Sequence, residues 1–415
     1  MCAAGMVAAC LSGGMALADP ASASGWKLTT LSPPPGNPSS VLTTVSCTGA
    51  AACVAGGEYG QQAPESGEFR YLTVAGSGGT WAQPETGPLP ADANSVTSAN
   101  VNSIACPAAG SCVAVGGYVA QRTAPGVEPQ PAFIATESHG RWVGAIRVGL
   151  PAGAVRPAVA TLQSVTCTGA TACLAIGYYY DTAGQARLMS VTETDGAWHK
   201  ARQITLPGKA SREDMSGLNS LSCTSATACV AVGTADASGA TLTEAAAVES
   251  HGRWTWAPAL RLPRGSQSFL SSVSCVPGGK CVAVGWYGSD SSRIPMFATL
   301  SRGRWSAVTA LPARIAGTPR GNVNLDAVSC RPSFCLAAGG DRNLTVGSTA
   351  WFAVRISRGH WRSGTVIKVP AGVGGTFGLA TTVGGVSCTR TGFCAIVGSF
   401  TNSAGDLQAL AATKG

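Results

Sequence analysis

The segment Leu221–Gly233 reads LSCTSATACVAVG: two cysteines separated by five residues, then a short apolar run that ends in glycine. The chain repeats this pattern seven times, with one residue fewer between the cysteines in the sixth copy. The copies stand at Val45–Gly57, Ile104–Gly116, Val165–Gly177, Leu221–Gly233, Val273–Gly285, Val328–Gly339 and Val386–Gly398. The first cysteines of successive copies lie 52 to 61 residues apart. A regular period of this length predicts a repeat architecture in which each unit forms one small sheet.

Each unit has the features of four strands. One strand ends at the first cysteine and the next begins at the second cysteine, with turn residues between them. A third strand leads into a glycine turn before tryptophan, as in Glu249-Ser-His-Gly-Arg-Trp254. Leu-Pro or Val-Pro closes most units, and proline suits the end of an outer strand because it has no amide donor.

The seventh unit lacks its tryptophan, whereas Trp26 stands before the first unit, at the spacing from Cys47 that the other tryptophans show. An N-terminal strand that completes the last sheet would close a ring and remove exposed strand edges. The sequence therefore predicts an all-β fold: a seven-bladed β-propeller of four-stranded antiparallel blades over residues 24–413 as a single domain. The tryptophans are expected to pack between adjacent blades.

Fourteen of the sixteen cysteines belong to the seven pairs, which leaves Cys2 and Cys10. Regular pairs indicate either a disulfide framework in an exported protein or metal and redox chemistry inside a cell. Each partner lies across a hairpin turn, and zinc would need tighter spacing with histidine nearby, so disulfides are favoured. The predicted pairs are Cys47 with Cys53, Cys106 with Cys112, Cys167 with Cys173, Cys223 with Cys229, Cys275 with Cys281, Cys330 with Cys335, and Cys388 with Cys394.

Residues 1–18 form a small, apolar segment that ends in Ala16-Leu17-Ala18, which is typical of a signal-peptidase site, although no positive n-region precedes it. Cleavage after Ala18 predicts secretion. The stretch Val7-Ala8-Ala9-Cys10 leaves lipoprotein anchoring through Cys10 open, and the absence of export is a third alternative. No later segment is long and apolar enough for a transmembrane span.

Charged residues make up only 12% of the chain, and its net charge of +8 is spread without a basic run. This gives no support to nucleic-acid binding. The sequence indicates no cofactor and no metal, and we expect a monomer.

The repeat Ser-Val-Ser-Cys followed by Cys-Val-Ala-Val-Gly resembles that of secreted bacterial, actinobacterial-type seven-bladed propellers of uncharacterised function. The resemblance covers about residues 24–413 and implies the fold without an activity. The turn Thr192–Trp198 is similar to the Asp-box of sialidase-type propellers. However, one residue separates Gly196 from Trp198 where that box has two, so no sialidase catalytic residue is carried over.

Aromatic residues follow the glycine of several units, at the end of the sheets that carries the longer loops. The candidate ligand-binding aromatics are Tyr59, Tyr118, Tyr178, Tyr180, Trp286 and Tyr287. They could form a binding surface for a sugar or a peptide, or they could cap the interfaces between blades.

Four arginines precede the cysteine pairs of consecutive units at nearly constant spacing. They are Arg156, Arg212, Arg264 and Arg320. Together they could hold a carboxylate, sulfate or phosphate, or each could form a local salt bridge. A second set, Arg141, Arg253, Arg302, Arg304 and Arg358, is expected to form a basic rim at the tryptophan turns, either solvated or attractive to anionic wall polymers.

Three functions are compatible with these patterns. The sequence favours an exported, non-catalytic binding or scaffold propeller that recognises a polysaccharide, a cell-wall polymer or a protein through one loop face. The alternative is an extracellular hydrolase or lyase that acts on a glycan with loop Asp, Glu and Arg residues. A structural propeller that assembles with partner chains is the third. No catalytic residue can be assigned, because the four histidines lie at the tryptophan turns and no nucleophile motif is visible.

Overall fold

The computed structural model describes residues 25–60, 69–94, 98–122, 128–206, 217–236, 242–263, 266–289, 292–312, 324–340, 350–370 and 381–415. Over these ranges the chain is all β and forms seven four-stranded antiparallel blades, as predicted; two blades carry a further short outer strand. The segment predicted as a signal peptide lies outside the described residues.

The strands follow the predicted order within each blade. Blade 1 contains β2 (Ser39–Gly49), β3 (Ala52–Gly60), β4 (Phe69–Ser77) and β5 (Thr80–Trp81). Blade 2 contains β6 (Ala99–Ala108), β7 (Ser111–Tyr118), β8 (Ala132–Ser138) and β9 (Arg141–Arg147). Blade 3 contains β10 (Ala160–Gly169), β11 (Ala172–Tyr180), β12 (Ala186–Thr194), β13 (Ala197–Trp198) and the short β14 (Arg202–Gln203). Blade 4 contains β15 (Gly217–Ser225), β16 (Ala228–Asp236), β17 (Leu242–Ser250) and β18 (Arg253–Trp256).

The remaining blades have the same order, and the last one uses both ends of the chain. Blade 5 contains β19 (Gln267–Val276), β20 (Lys280–Ser289), β21 (Ser292–Ser301), β22 (Arg304–Trp305) and the short β23 (Thr309–Ala310). Blade 6 contains β24 (Ala327–Arg331), β25 (Phe334–Gly340), β26 (Ala350–Ser357) and β27 (His360–Lys368). Blade 7 contains β28 (Thr381–Cys388), β29 (Cys394–Thr401), β30 (Leu407–Lys414) and, as its outer strand, β1 (Lys27–Leu31).

The ring closes as the position of Trp26 predicts. Strand β1 pairs antiparallel with β30, with Lys27 opposite Thr413. Trp26 is buried against the core between blades 6 and 7. The inner strands contact one another in sequence, and β2 contacts β28, so the ring is continuous. An apolar cluster fills each of the seven junctions between blades. A tryptophan of an outer strand packs on six of these clusters, and Trp26, directly before β1, packs on the seventh.

All seven predicted disulfides are present, each within the hairpin between the first two strands of a blade. Closing a loop of this size contributes about 2 kcal/mol on the chain-entropy model. Seven such bonds are typical of a protein that resides in an oxidising environment.

The glycine that ends each cysteine motif has a steric role. In blades 1 to 5 and 7 it faces a β-bulge in the inner strand, for example the one between Leu162 and Ser164. A Cβ on Gly177 would lie 2.0 Å from the carbonyl oxygen of Thr161, and the other six motif glycines meet a backbone oxygen at 1.8 to 2.0 Å. Any side chain there would therefore collide with the neighbouring strand.

Hydroxyl groups from the Ser-Val-Ser-Cys motif join adjacent blades. Ser222 Oγ accepts a hydrogen bond from the Cys275 amide at 2.9 Å, and Ser220 Oγ accepts one from the Val273 amide at 3.1 Å. Equivalent bonds, one or two at each junction, connect every neighbouring pair of inner strands around the ring. This motif therefore fixes the spacing of the inner strands.

Candidate functional site

The strand order gives the propeller two different ends. The cysteine face carries the disulfide hairpins and the turns before the tryptophans. The aromatic face is the opposite end, where the second strand of each blade continues past the motif glycine. The tryptophan turns are tight: Asp195 and Gly196 have φ values of 52° and 79°, the left-handed pair that a two-residue hairpin of type I′ requires.

Tyr59 and Tyr118, two of the predicted aromatic residues, lie in the junctions between blades. They are 6% and 3% exposed. The Tyr59 hydroxyl lies 2.8 Å from Thr86 Oγ1, and the Tyr118 hydroxyl donates to Asp92 at 2.5 Å. Their rings and hydroxyl groups thus contact other parts of the protein, as expected of residues that cap the blade interfaces.

Tyr178 and Tyr180 lie on the other side of their strand and are partly exposed. Their rings meet edge to face, with centroids 6.0 Å apart at 84°. Burial raises the pKa of Tyr178, with Tyr180 contributing in the same direction. This pair offers aromatic surface at the aromatic end of blade 3.

Trp286 is buried in blade 5, next to an aromatic ring and a guanidinium group. The Phe269 ring lies parallel to it, with an interplanar angle of 5° and centroids 6.4 Å apart. The Arg293 guanidinium lies over the Trp286 ring, 4.2 Å from its centroid. The neighbouring Tyr287 is partly buried against the core between blades 4 and 5. With 3% of its surface exposed and with Phe269 and Arg293 against it, the Trp286 ring is packed within the protein and is not open to a ligand.

Only one of the four arginines predicted to bind an anion lies in the described residues. Arg156 is exposed in the connection between blades 2 and 3. Arg212, Arg264 and Arg320 lie outside the described residues, so the anion site that these four residues could form stays a prediction.

The carboxylates of the aromatic face are engaged by neighbouring groups. Asp92 accepts hydrogen bonds from Tyr118 and, at 2.6 Å, from Arg147. Burial alone would raise the pKa of Asp92, but these two donors outweigh it and hold the pKa below its ordinary value. The Gln185 amide and the Arg187 side chain likewise lower the pKa of Asp181.

Two further carboxyl groups lie near this face. Glu244 accepts hydrogen bonds from the Leu260 amide and the Ser268 hydroxyl, which connect blade 4 to the next inner strand. Burial raises the pKa of Glu58, on the second strand of blade 1. Glycoside hydrolysis requires two carboxyl groups that are free to act on one bond, whereas Asp92, Asp181 and Glu244 are each engaged by internal donors.

The described ranges contain neither a metal-binding cluster nor a membrane-spanning helix. No group of three His, Cys, Asp or Glu side chains there is arranged to hold a metal ion. No helix in the same part of the chain could span a membrane.

Sequence reasoning did not identify Phe269 or Arg293 as part of the aromatic face. Other units carry unrelated residues at the position of Phe269, so the repeat gives no signal for it. Strand alternation does carry a signal for the tyrosines. Counted from the second cysteine, Tyr59 and Tyr118 fall on the same side of the strand as that cysteine, and Tyr178 falls on the opposite side.

No protein-family model matches the sequence. No curated protein matches it either. Solved structures are similar in fold. A protein of unknown function from Dyadobacter fermentans DSM 18053 aligns with a TM-score of 0.51 at 10% identity over 94% of this chain and 98% of that chain. A polysaccharide lyase of family PL25, an ulvan lyase bound to -[GlcA(1-4)Rha3S]-, aligns with a TM-score of 0.51 at 9% identity over 92% of both chains. At these identities the similarity establishes the propeller fold alone.

Proposed function

We propose that the chain is an exported, non-catalytic binding or scaffold propeller that recognises a polysaccharide, a cell-wall polymer or a protein through its aromatic face. The observation that carries the proposal is the contrast on that face between accessible aromatic surface and engaged acids. Tyr178 and Tyr180 offer ring surface, whereas Asp92, Asp181 and Glu244 are each held by internal donors. A binding site needs the first feature, and acid or base catalysis needs free, paired carboxyl groups.

A polysaccharide is the ligand class that the site chemistry favours. Sugar rings present apolar faces and hydroxyl edges, which match the rings and hydroxyl groups of the partly exposed Tyr178 and Tyr180. The ulvan lyase with this fold was solved bound to a glycan, which is consistent with the choice without deciding it.

Export is the second part of the proposal. The seven disulfides and the Ala16-Leu17-Ala18 stretch support secretion, with a mature chain that begins at Asp19. N-terminal sequencing of the protein from culture medium would read Asp19 first. Recovery of a lipid-modified chain that begins at Cys10 would replace secretion by anchoring.

The binding proposal is tested with the oxidised protein on a panel of plant, algal and bacterial polysaccharides. We expect at least one to bind, and Y178A/Y180A to weaken that binding about tenfold through lost ring contacts. The control Y59F removes only a hydroxyl that contacts Thr86 and leaves affinity unchanged. An equal affinity in Y178A/Y180A would rule out this surface, and release of shortened glycan products would establish the hydrolase or lyase instead.

A further inference from the structure

The cysteine face contains a groove of about 970 Å³ at the tips of blades 5 and 6. Strands β20 and β21 and the hairpins of blade 6 form its walls. Five cationic residues line it: Lys280, Arg331, Arg355, Arg358 and Arg362. No carboxylate occurs among the lining residues.

These cations have no acidic partners in the part of the chain that the structure describes. The three ion pairs found there join Arg122 to Glu128, Arg147 to Asp92 and Arg187 to Asp181, all outside the groove. Their positive charge is therefore available to an external anion.

Two of the arginines are held in place. The Arg355 guanidinium lies over the Phe334 ring, 4.1 Å from its centroid. Arg331 donates from Nη1 to the Cys330 carbonyl oxygen at 3.3 Å, and its Nε is buried without a hydrogen-bond partner among the described residues. Burial, together with the nearby charge of Arg390, lowers the pKa of Arg331, which indicates crowded positive charge at this tip.

The corresponding cavity between blades 1 and 2 has the opposite character. It measures about 470 Å³, contains Glu137 and has no lysine or arginine in its lining. The concentration of cations at blade 6 is thus a local property and does not follow from the repeat.

We propose that this groove binds an acidic polysaccharide through its sulfate or carboxylate groups. Guanidinium groups donate two parallel hydrogen bonds to such planar or tetrahedral anions. A groove of this volume, with cations on two blades, fits several anionic units of one chain better than a single small ion. Nucleic acid is disfavoured, because single-strand binding uses open aromatic faces and Arg355 already covers Phe334. The site lies on the face opposite Tyr178 and does not depend on the function proposed for the aromatic face.

The test measures binding of the oxidised protein to dextran sulfate, polygalacturonate and neutral dextran. We expect one or both acidic polymers to bind, with affinity that falls as salt rises, and dextran not to bind. R355Q/R362Q should weaken binding about tenfold, since two charge-assisted contacts are lost. R141Q/R253Q removes the same charge from exposed positions on the cysteine face of blades 2 and 4, and should change affinity less than about twofold.

The two acidic polymers separate sulfate from carboxylate recognition. Equal losses in R355Q/R362Q and R141Q/R253Q would overturn the groove in favour of diffuse attraction to the whole face. Binding of single-stranded DNA as tight as that of dextran sulfate would overturn the assignment to polysaccharide. Thermal unfolding of each variant confirms that it is folded. R355K/R362K keeps the charge but loses the paired guanidinium donors, so it should lose less affinity than R355Q/R362Q and more than R141Q/R253Q.

Discussion

Blades 2 to 4 and blades 5 and 6 carry different residues at one strand position on the cysteine face. The position pairs with the tryptophan of the outer strand. It is occupied by the buried residues Glu137, Glu193, Glu249, Leu300 and Ile356 in turn. The backbone around it is similar in all five blades, because the disulfides, the close contact of the motif glycine and most hydroxyl contacts recur.

The difference teaches how one repeat can produce two electrostatic environments. In blade 4, Glu249 accepts a hydrogen bond from the Gly252 amide and so joins the turn. In blade 5, Leu300 adds to the apolar core instead and lines the basic groove. Without an acid at this position, the cations at the tips of blades 5 and 6 have no fixed countercharge beside them.

The largest expected effect concerns the shared backbone. G177A in blade 3 would place a Cβ 2.0 Å from the carbonyl oxygen of Thr161, and G339A in blade 6 would place one 1.9 Å from that of Asn324. We expect each substitution to lower the free energy of unfolding by about 3 kcal/mol or more, and by the same amount in blade 3 as in blade 6. Thermal unfolding measures the loss. G144A, at a strand glycine with nothing within 4 Å, is the control and should be nearly neutral. If only one of these two substitutions were tolerated, blades 3 and 6 would differ in backbone as well as in charge.

The next effect comes from exchanging the two residue types. L300E puts a carboxyl group at a site that is 4% exposed. We expect a loss of about 2 kcal/mol at neutral pH, because burial of a charge with incomplete hydrogen bonding is unfavourable. The same change should weaken dextran sulfate binding without removing any arginine. L300M, which keeps the site apolar, should preserve binding. Full binding by folded L300E would show that the acid at this position does not control the groove.

The repeat made the fold predictable, whereas the contrast between blades was not. Seven cysteine pairs and the displaced Trp26 were sufficient for the blade number, the disulfides and the ring closure. The bulge could not be foreseen, since its extra residue varies, as in Thr43, Asn102 and Gln163, and only the facing glycine is constant.

The candidate sites were harder to predict from the sequence, because they depend on the direction in which each side chain points and on which side chains lie close together. Strand alternation would have separated Tyr178 from Tyr118. Of the basic groove, the sequence singled out only Arg358, as part of a rim. The other members lie at unrelated positions in their units, and only the junction of blades 5 and 6 brings them together.

The disulfides provide a third comparison. C223A/C229A in blade 4 and C275A/C281A in blade 5 open hairpin loops of equal length. We expect each pair of changes to cost about 2 kcal/mol. The loss should be the same in both blades if neighbouring charge has no influence on the hairpin. Thermal unfolding under oxidising conditions measures it, and unequal losses would show that Glu249 or Leu300 contributes to hairpin stability.

The smallest expected effect is a pH dependence of stability that comes from the buried glutamates of blades 2 and 3. Burial raises the pKa of Glu137 and of Glu193. The folded state therefore binds these protons more tightly than the unfolded chain does. The stability that they contribute is complete below the ordinary glutamate pKa and is lost as pH rises through the raised, folded-state values.

E137Q/E193Q removes this loss. The thermal unfolding midpoint of the variant minus that of the unsubstituted protein should therefore be larger at pH 7 than at pH 4. Asp92 and Asp181 have lowered pKa values and the opposite dependence, but they are present in both proteins and cancel in the difference. L300Q is the control in blade 5, since it adds an uncharged amide and should shift the midpoint equally at both pH values. A difference in midpoint that does not change with pH would mean that these carboxyl groups remain ionised at little cost. Blades 2 to 4 and blades 5 and 6 would then differ on the cysteine face in charge alone.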